Sequence, residues 1–222
     1  VRWHHPERGV VAPDEFIPIA EENGLISSID QWVLKHACTQ MHTWLAAGAD
    51  LEFIAINLSS RSLSNLHLAE KVAQTLHHAQ LGAQHLELEV TESAMMEDPL
   101  SADIILRQLR EIGVRLAIDD FGTGYSSLAR LKSLPVHKLK IDQSFISNLP
   151  SGNDDKAIVR AIIALGASIG LDVQAEGIET AEQMQFLQKQ NCTLGQGYFF
   201  GRPMPTDDFT QLLNNSVLLQ QS

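Results

Sequence analysis

Apolar and polar residues alternate in several short stretches of the chain, and longer segments with helical spacing lie between these stretches. A period of two places successive side chains on opposite faces of a β-strand. Between the stretches, apolar residues recur at intervals of three and four, as on the buried face of an amphipathic helix. Six strands are predicted, in the segments LEFIAINLS, HLELEVTES, RLAIDD, HKLKIDQSF, DVQAEGIE and TLGQG.

The order of these elements predicts an α/β fold, because strands that alternate with helices form a parallel sheet with the helices outside it. Six strands of this kind indicate a TIM-like (β/α)8 barrel, of which about two strands are expected upstream of Val1. An open, doubly wound sheet is the alternative, although no G-x-G-x-x-G turn follows a first strand. We expect one domain over residues 1–215 and a short tail over 216–222.

The polar residues of the predicted strands share one parity, opposite to an aliphatic row that would face the helices. Because the C-terminal ends of barrel strands converge at one mouth, the last of these residues should meet there. Unrelated strand-end residues in water are the alternative, which six residues of the same parity make a poor explanation. The set at the mouth is Asn57, Glu89, Asp119, Lys140, Glu176 and Gln196. A deeper set, expected to form an internal ion-pair and hydrogen-bond network, is Glu87, Arg115, Lys138 and Gln174.

The third predicted strand ends in two adjacent acids, Asp119 and Asp120, followed by the glycine-bearing segment FGTG. This is how α/β enzymes build metal sites, although an Asp-rich turn that caps the next helix has the same pattern. Crowded carboxylates repel one another and require a cation, and oxygen ligands favour Mg²⁺ or Mn²⁺ over Zn²⁺. The residues alone therefore predict a metal-dependent barrel enzyme that acts on a phosphate or an enolate.

The formal net charge of −11 argues against a DNA-, RNA- or anionic-membrane-binding surface, which would be basic. An anionic substrate would need cations to bind at such an acidic site. The two cysteines lie far apart in the sequence and suggest no disulfide framework, so we expect a cytoplasmic domain. No apolar run approaches the ~20 residues of a membrane span, and we expect no membrane contact by this domain itself.

Seven motifs in order resemble the EAL domain family: RWHHPERGVVAPDEFIPIAEENGLI, INLS, ELEVTES, IDDFGTGYSSL, LKIDQSFI, AEGIET and GQGYFFGRPMP. The resemblance runs from Val1 to about Leu213. It implies a modified (β/α)8 barrel with one antiparallel strand. It also implies a bacterial phosphodiesterase that opens cyclic di-GMP to the linear dinucleotide pGpG.

The resemblance implies roles for individual residues. Two Mg²⁺ or Mn²⁺ ions would be held by Asn57, Glu89, Asp119, Asp120 and Glu176, with Asp119 bridging them. Glu176 would be the general base, and Lys140 would lie beside the attacking water and the phosphate. Substrate contacts would come from Arg2 and Gln196, and supporting contacts from Asp142, Glu179 and Glu92. Glu92 would anchor the loop from Asp120 to Ser127, through which a homodimer is expected.

The Glu-Ala-Leu signature of the family should end just before Val1, so the sequence is expected to be clipped at its N-terminus. The signature glutamate, a further metal ligand, would then lie upstream together with the first strands. The competing functional hypotheses are an EAL module that binds cyclic di-GMP without cutting it, a protein-docking domain, and an enolase-type barrel.

Overall fold

The computed structural model describes residues 1–124 and 128–220. Its strands are β1 (Trp3–His5), β2 (Gly9–Val11), β3 (Ile54–Leu58), β4 (Leu86–Thr91), β5 (Arg115–Phe121), β6 (Lys138–Ile141), β7 (Asp172–Ala175) and β8 (Leu194–Gly195). Strands β1 and β2 form an antiparallel hairpin, whereas β3 to β8 form one curved sheet in sequential order. Every described pairing in that sheet is parallel, which confirms the α/β prediction.

Helices cover the outside of this sheet. They are α1 (Pro13–Glu22), α2 (Ile26–Ala46), α3 (Ser60–Leu63), α4 (Leu68–Ala79), α5 (Glu92–Glu97), α6 (Pro99–Ile112), α7 (Leu128–Ser133), α8 (Gln143–Ile146), α9 (Asn153–Ile169), α10 (Ala181–Lys189) and α11 (Thr206–Gln220). Among the described residues, no helix is both long and apolar enough to cross a bilayer. Helix α11 continues past residue 215, so part of the expected tail is helical, while the domain boundary itself stays a prediction.

The alternation of side chains along the strands is the one that the sequence predicts. The aliphatic row packs against the helices and is almost fully buried: Leu86, Leu88, Val90, Leu116, Ile118, Leu139 and Ile141. The opposite row of β4 and β6 is also buried although it is charged: Glu87, Glu89, Lys138 and Lys140. Burial of charged groups is tolerated only when they are paired, so this inner face must carry its own counter-charges.

Three of the four deeper inner-face residues, Glu87, Arg115 and Lys138, form an ion-pair network, whereas Gln174 donates a hydrogen bond to Gln196 instead. The Lys138 ammonium lies 2.7 Å from Glu87 Oε1, and Arg115 Nε lies 3.5 Å from Glu87 Oε2. Both cations also lie over the ring of Phe53, each 4.5 Å from its centroid. Arg115 reaches outward to Glu52 at 2.7 Å. This network fills the sheet below the C-terminal strand ends, where the candidate site begins.

Two strands are shorter than the alternation predicts. Strand β7 ends at Ala175 and β8 at Gly195, so Glu176 and Gln196 directly follow their strands. A glycine with positive φ, Gly177 (φ 66°), follows Glu176, and a Cβ added there would lie 2.6 Å from Gln143 Cβ. The turn after Glu176 therefore requires a glycine for both its conformation and its space.

Candidate active site

Lys140 is the centre of a carboxylate cluster at the C-terminal end of the sheet. Its ammonium lies 2.8 Å from Glu89 Oε1, 3.0 Å from Asp119 Oδ1 and 2.7 Å from Glu176 Oε1. These residues come from β6, β4, β5 and the turn after β7. Strand ends that are distant in sequence therefore bring three acids and one lysine to a common point, as the parity of the strands predicts.

Asp120 joins this cluster through an irregularity in β5. The pairing of β5 with β6 shifts register between Ile118 and Phe121, and Asp120 adopts a left-handed conformation with φ 53°. Regular alternation would point Asp120 away from Asp119, but ligand oxygens of Asp119, Asp120 and Glu176 lie within 4.8 Å of one another. Aspartate tolerates positive φ better than most residues, so the bulge re-aims a second carboxylate.

Burial and mutual repulsion change the acidity of the cluster. Burial raises the pKa of Glu176 to about 7, against the lowering influence of Lys140. Burial also raises the pKa of Glu89, and burial together with the charges of Asp119 and Asp142 raises that of Asp120. Burial alone would lower the pKa of Lys140, but the surrounding carboxylates raise it above its usual value. The lysine is therefore charged, but its single positive charge does not neutralise all the acids of the cluster.

This donor set fits a divalent cation. The carboxylates of Glu89, Asp119 and Glu176 contact Lys140, and Asp120 lies beside two of them. Full ionisation of these four acids and one lysine leaves three negative charges in excess. Their ligands are hard oxygens, which suit Mg²⁺ or Mn²⁺. Burial first, and then the charges of Asp119 and Asp142, raise the pKa of Asp120. A bound cation would favour its ionised form.

Glu92 fastens the loop that follows Asp120. It is the first residue of α5, after the N-cap Thr91, and is buried. Its Oε2 accepts a 3.2 Å hydrogen bond from the backbone N–H of Gly122, and a Cβ on Gly124 would lie 2.9 Å from its Cδ. Glu92 therefore contacts Gly122 and lies close to Gly124, and its anchoring role stays a prediction. Residues 125–127 of the same loop lie outside the described part of the chain.

Other residues with predicted roles are placed as follows. Asn57 on β3 lies in register with Glu89 on the neighbouring strand β4. Asp142 lies beside Asp120 and caps α8 through a 3.0 Å hydrogen bond from the Ser144 N–H. The side-chain oxygen of Gln196 accepts a 3.2 Å hydrogen bond from Gln174 Nε2. Asn57 and Asp142 therefore border the cluster, whereas the described contacts of Gln196 are with Gln174 and with the backbone of Ala175 and Ile178.

Two predicted residues have no described contact with the cluster. Arg2 is exposed, and its guanidinium donates to the carbonyl of Val1 at 2.8 Å. Glu179 is exposed, and its backbone N–H donates to Gln183 Oε1 at 2.7 Å. Their assigned roles stay predictions.

Known proteins match the chain over nearly its whole length. The family model described as the EAL domain matches residues 1–203. The chain belongs to the EAL domain family. A solved structure described as the PaMucR phosphodiesterase in complex with c-di-GMP superposes on this EAL domain with a TM-score of 0.90 and 47% identity. That match covers 94% of this chain and 84% of the other, and it identifies the sheet as part of a modified TIM barrel.

Two curated relatives of this EAL domain come from Pseudomonas aeruginosa. One is the bifunctional diguanylate cyclase/cyclic di-GMP phosphodiesterase MucR, 47% identical over 207 residues. The other is the cyclic di-GMP phosphodiesterase NbdA, 46% identical over 205 residues. The matches cover 93% and 92% of this chain but 30% and 26% of the relatives. The chain therefore spans less than a third of the length of these relatives.

Proposed function

We propose that this EAL domain hydrolyses cyclic di-GMP to pGpG with the help of bound Mg²⁺ or Mn²⁺, most simply as two ions. The observation that carries the proposal is the convergence of Glu89, Asp119, Asp120 and Glu176 around Lys140. The names of two relatives at 46–47% identity, both cyclic di-GMP phosphodiesterases, support the same substrate.

The residues that would hold the ions are Asn57, Glu89, Asp119, Asp120 and Glu176. When bound, such ions supply Lewis-acid polarisation of a phosphate and activation of water. They would also allow a negatively charged nucleotide to enter a site with excess carboxylates. Asn57 lies in register with Glu89 on the neighbouring strand, which supports its role as a neutral amide ligand that would not add to the repulsion.

Glu176 is the proposed general base. Its Oε1 lies 2.7 Å from the Lys140 ammonium, and its carboxylate lies within 4.8 Å of those of Asp119 and Asp120. With cations bound, the carboxylate would stay ionised, so it could accept the proton of a water held within its reach. Lys140 donates to Glu176 at 2.7 Å, which orients the carboxylate, and its positive charge can stabilise the charge that develops on the phosphate.

The remaining roles are proposed on the resemblance of their motifs. Gln196 and Arg2 contact the nucleotide, and Asp142 and Glu179 support the site. Glu92 holds the loop after Asp120, and its buried contact with Gly122 supports this role. The same loop would form the contact of a homodimer. The functional domain would comprise residues 1–215 and would lie in the cytoplasm.

The test is a turnover assay in which cyclic di-GMP and pGpG are separated by chromatography, with Mg²⁺, Mn²⁺ or EDTA. Glu176→Gln should lower kcat by about 100-fold or more, because general base catalysis contributes about 10²–10⁴-fold. It should leave cyclic di-GMP binding within a few-fold. Glu182→Gln, an exposed acid of α10, is the matched control and should turn over like the parent.

Near-normal turnover by Glu176→Gln would remove its role as the base. If the parent binds cyclic di-GMP but does not cut it with either metal, the domain is a receptor and the proposed reaction is wrong. If the parent does not bind the nucleotide at all, a protein-docking role is favoured.

A further inference from the structure

Two lysines of β6 reach two glutamates of β4 across the strand that separates them. Lys138 pairs with Glu87 at 2.7 Å, and Lys140 pairs with Glu89 at 2.8 Å. Strand β5 lies between β4 and β6 in the sheet. Neighbouring strands are about 4.8 Å apart, so each pair spans about 10 Å of inner face. Both ion pairs therefore depend on what β5 places on that face.

The residue of β5 in the middle of this span is Ala117. It is in register with Glu89 on one side and with Lys138 on the other, and it is fully buried. On the same face, Arg115 lies two residues before it and pairs with Glu87, and Asp119 lies two residues after it and pairs with Lys140. Ala117 has only a methyl group, so it adds no charge and fills little space between the two ion pairs.

We propose that Ala117 is a positioning residue: its small side chain leaves the space through which Lys140 reaches Glu89. The inference rests on the proposed function, in which Lys140 acts beside the phosphate. A branched side chain at position 117 would take the space used by the lysine stem and by the glutamate. Lys140 would keep its contact with Glu176, which follows β7 on its other side, and with Asp119, which lies beyond Ala117 toward the C-terminal end of β5. It would move away from Glu89.

This role differs from that of an ordinary core residue in its effect on metal binding. A displaced Lys140 no longer neutralises Glu89, so the carboxylate cluster becomes more negative toward a cation. Turnover should then fall while the affinity for metal is kept or increased. General damage to packing would instead weaken catalysis, substrate binding and metal binding together.

The experiment compares Ala117→Gly, Ala117→Ser and Ala117→Val in the whole chain. The readouts are kcat and KM for cyclic di-GMP, and Mn²⁺ binding by calorimetry without nucleotide. Ala102→Val, on helix α6, is the matched control because Ala102 is equally buried and lies outside the site. Gly and Ser should keep kcat within about threefold, whereas Val should lower it about 10- to 100-fold, as expected for a displacement of about 1 Å. In Ala117→Val the KM should not rise and the Mn²⁺ affinity should not fall. Ala102→Val should keep the kcat of the parent.

The proposal is overturned if folded Ala117→Val keeps its kcat, or if kcat, KM and Mn²⁺ affinity all worsen together. If Ala117→Val does not fold, a crystal structure of the branched variant Ala117→Thr decides: the proposal requires the Lys140–Glu89 distance to lengthen by about 1 Å, and an unchanged distance refutes it. A parent that shows no turnover would refute the proposed reaction, and the same distance would still test the role of Ala117.

Discussion

Replacement of Lys140 by methionine removes a cation that contacts three acids of the cluster, and Lys138→Met provides a matched comparison. Both lysines lie on β6, both are buried, and both point to the same face. They differ in their partners: Lys140 lies within 3.0 Å of three carboxylates, whereas the ion pair of Lys138 among the described residues is with Glu87. After Lys138→Met, Arg115 remains 3.5 Å from Glu87 as a second cation.

The expected loss follows from these contacts. Removal of one partner from a buried ion pair destabilises a protein by about 3–5 kcal/mol. For Lys140→Met the unfolding free energy at pH ~8 should fall by about 3 kcal/mol, the lower end of this range, because protonation of one acid relieves part of the repulsion. In a domain of this size 1 kcal/mol corresponds to about 2–4 °C in Tm, so the metal-free variant should melt about 6–12 °C below the parent.

Metal should separate the two variants. A divalent ion can replace the missing ammonium in the cluster, so Mn²⁺ should raise the Tm of Lys140→Met more than that of Lys138→Met. Turnover should also distinguish the two variants, because kcat should fall far more in Lys140→Met than in Lys138→Met. Lys140→Met should lose about 100-fold or more in kcat, equivalent to about 2.7 kcal/mol of transition-state stabilisation, while Lys138→Met should stay within about fivefold of the parent.

Thermal melting with EDTA or Mn²⁺, together with the turnover assay, measures both effects. Equal responses of the two variants to Mn²⁺ would show that Lys140 is an ordinary buried ion-pair lysine. Near-parent turnover by Lys140→Met would remove it from the reaction, whatever its effect on stability.

Three further predictions concern the acids. In the folded protein burial raises the pKa of Glu176 to about 7, so its contribution to stability is fully present below its unfolded pKa and is lost as pH rises through about 7. Urea unfolding in EDTA should therefore show that the parent loses on the order of 2–3 kcal/mol of unfolding free energy relative to Glu176→Gln between about pH 4.5 and 8. The absence of a relative loss would contradict the raised pKa. Asp120→Asn removes a charge that repels Asp119, so the metal-free Tm should stay level or rise while calorimetry shows Mn²⁺ binding weakened about tenfold or more; unweakened binding would exclude Asp120 as a ligand. Glu92→Ala removes the acceptor of the Gly122 N–H and should destabilise the domain by about 1–3 kcal/mol in urea unfolding, whereas Glu92→Gln, which keeps an acceptor, should lose less; equal losses would show that the hydrogen bond is unimportant.

The sequence was sufficient for the features that depend on strand periodicity. Glu89 and Lys140 were placed on one face by counting alternate residues, and they meet at 2.8 Å. The same counting predicted the deeper pair of Glu87 and Lys138. Periodicity works here because both strands are regular and buried on both faces, so that a register error would bury unpaired charges.

The sequence was not sufficient where the backbone departs from regular alternation or where a contact depends on side-chain reach. Alternation would place Asp120 opposite Asp119, and only the bulge in β5 brings the two together. The available signal was an aspartate, a residue that tolerates positive φ, directly before Phe121 and Gly122. The triple contact of Lys140 depends on distances across β5 that no spacing in the sequence encodes. Arg2 and Glu179 were assigned by resemblance alone and stay predictions.

The central claim is that carboxylates from separate strands form one metal centre. Anomalous diffraction from crystals of the protein soaked in Mn²⁺ tests this most directly. We predict one or two peaks within about 2.5 Å of carboxylate oxygens of Glu89, Asp119, Asp120 and Glu176, the usual range for such ligands. A map at saturating Mn²⁺ with no peak at these four side chains would contradict the account.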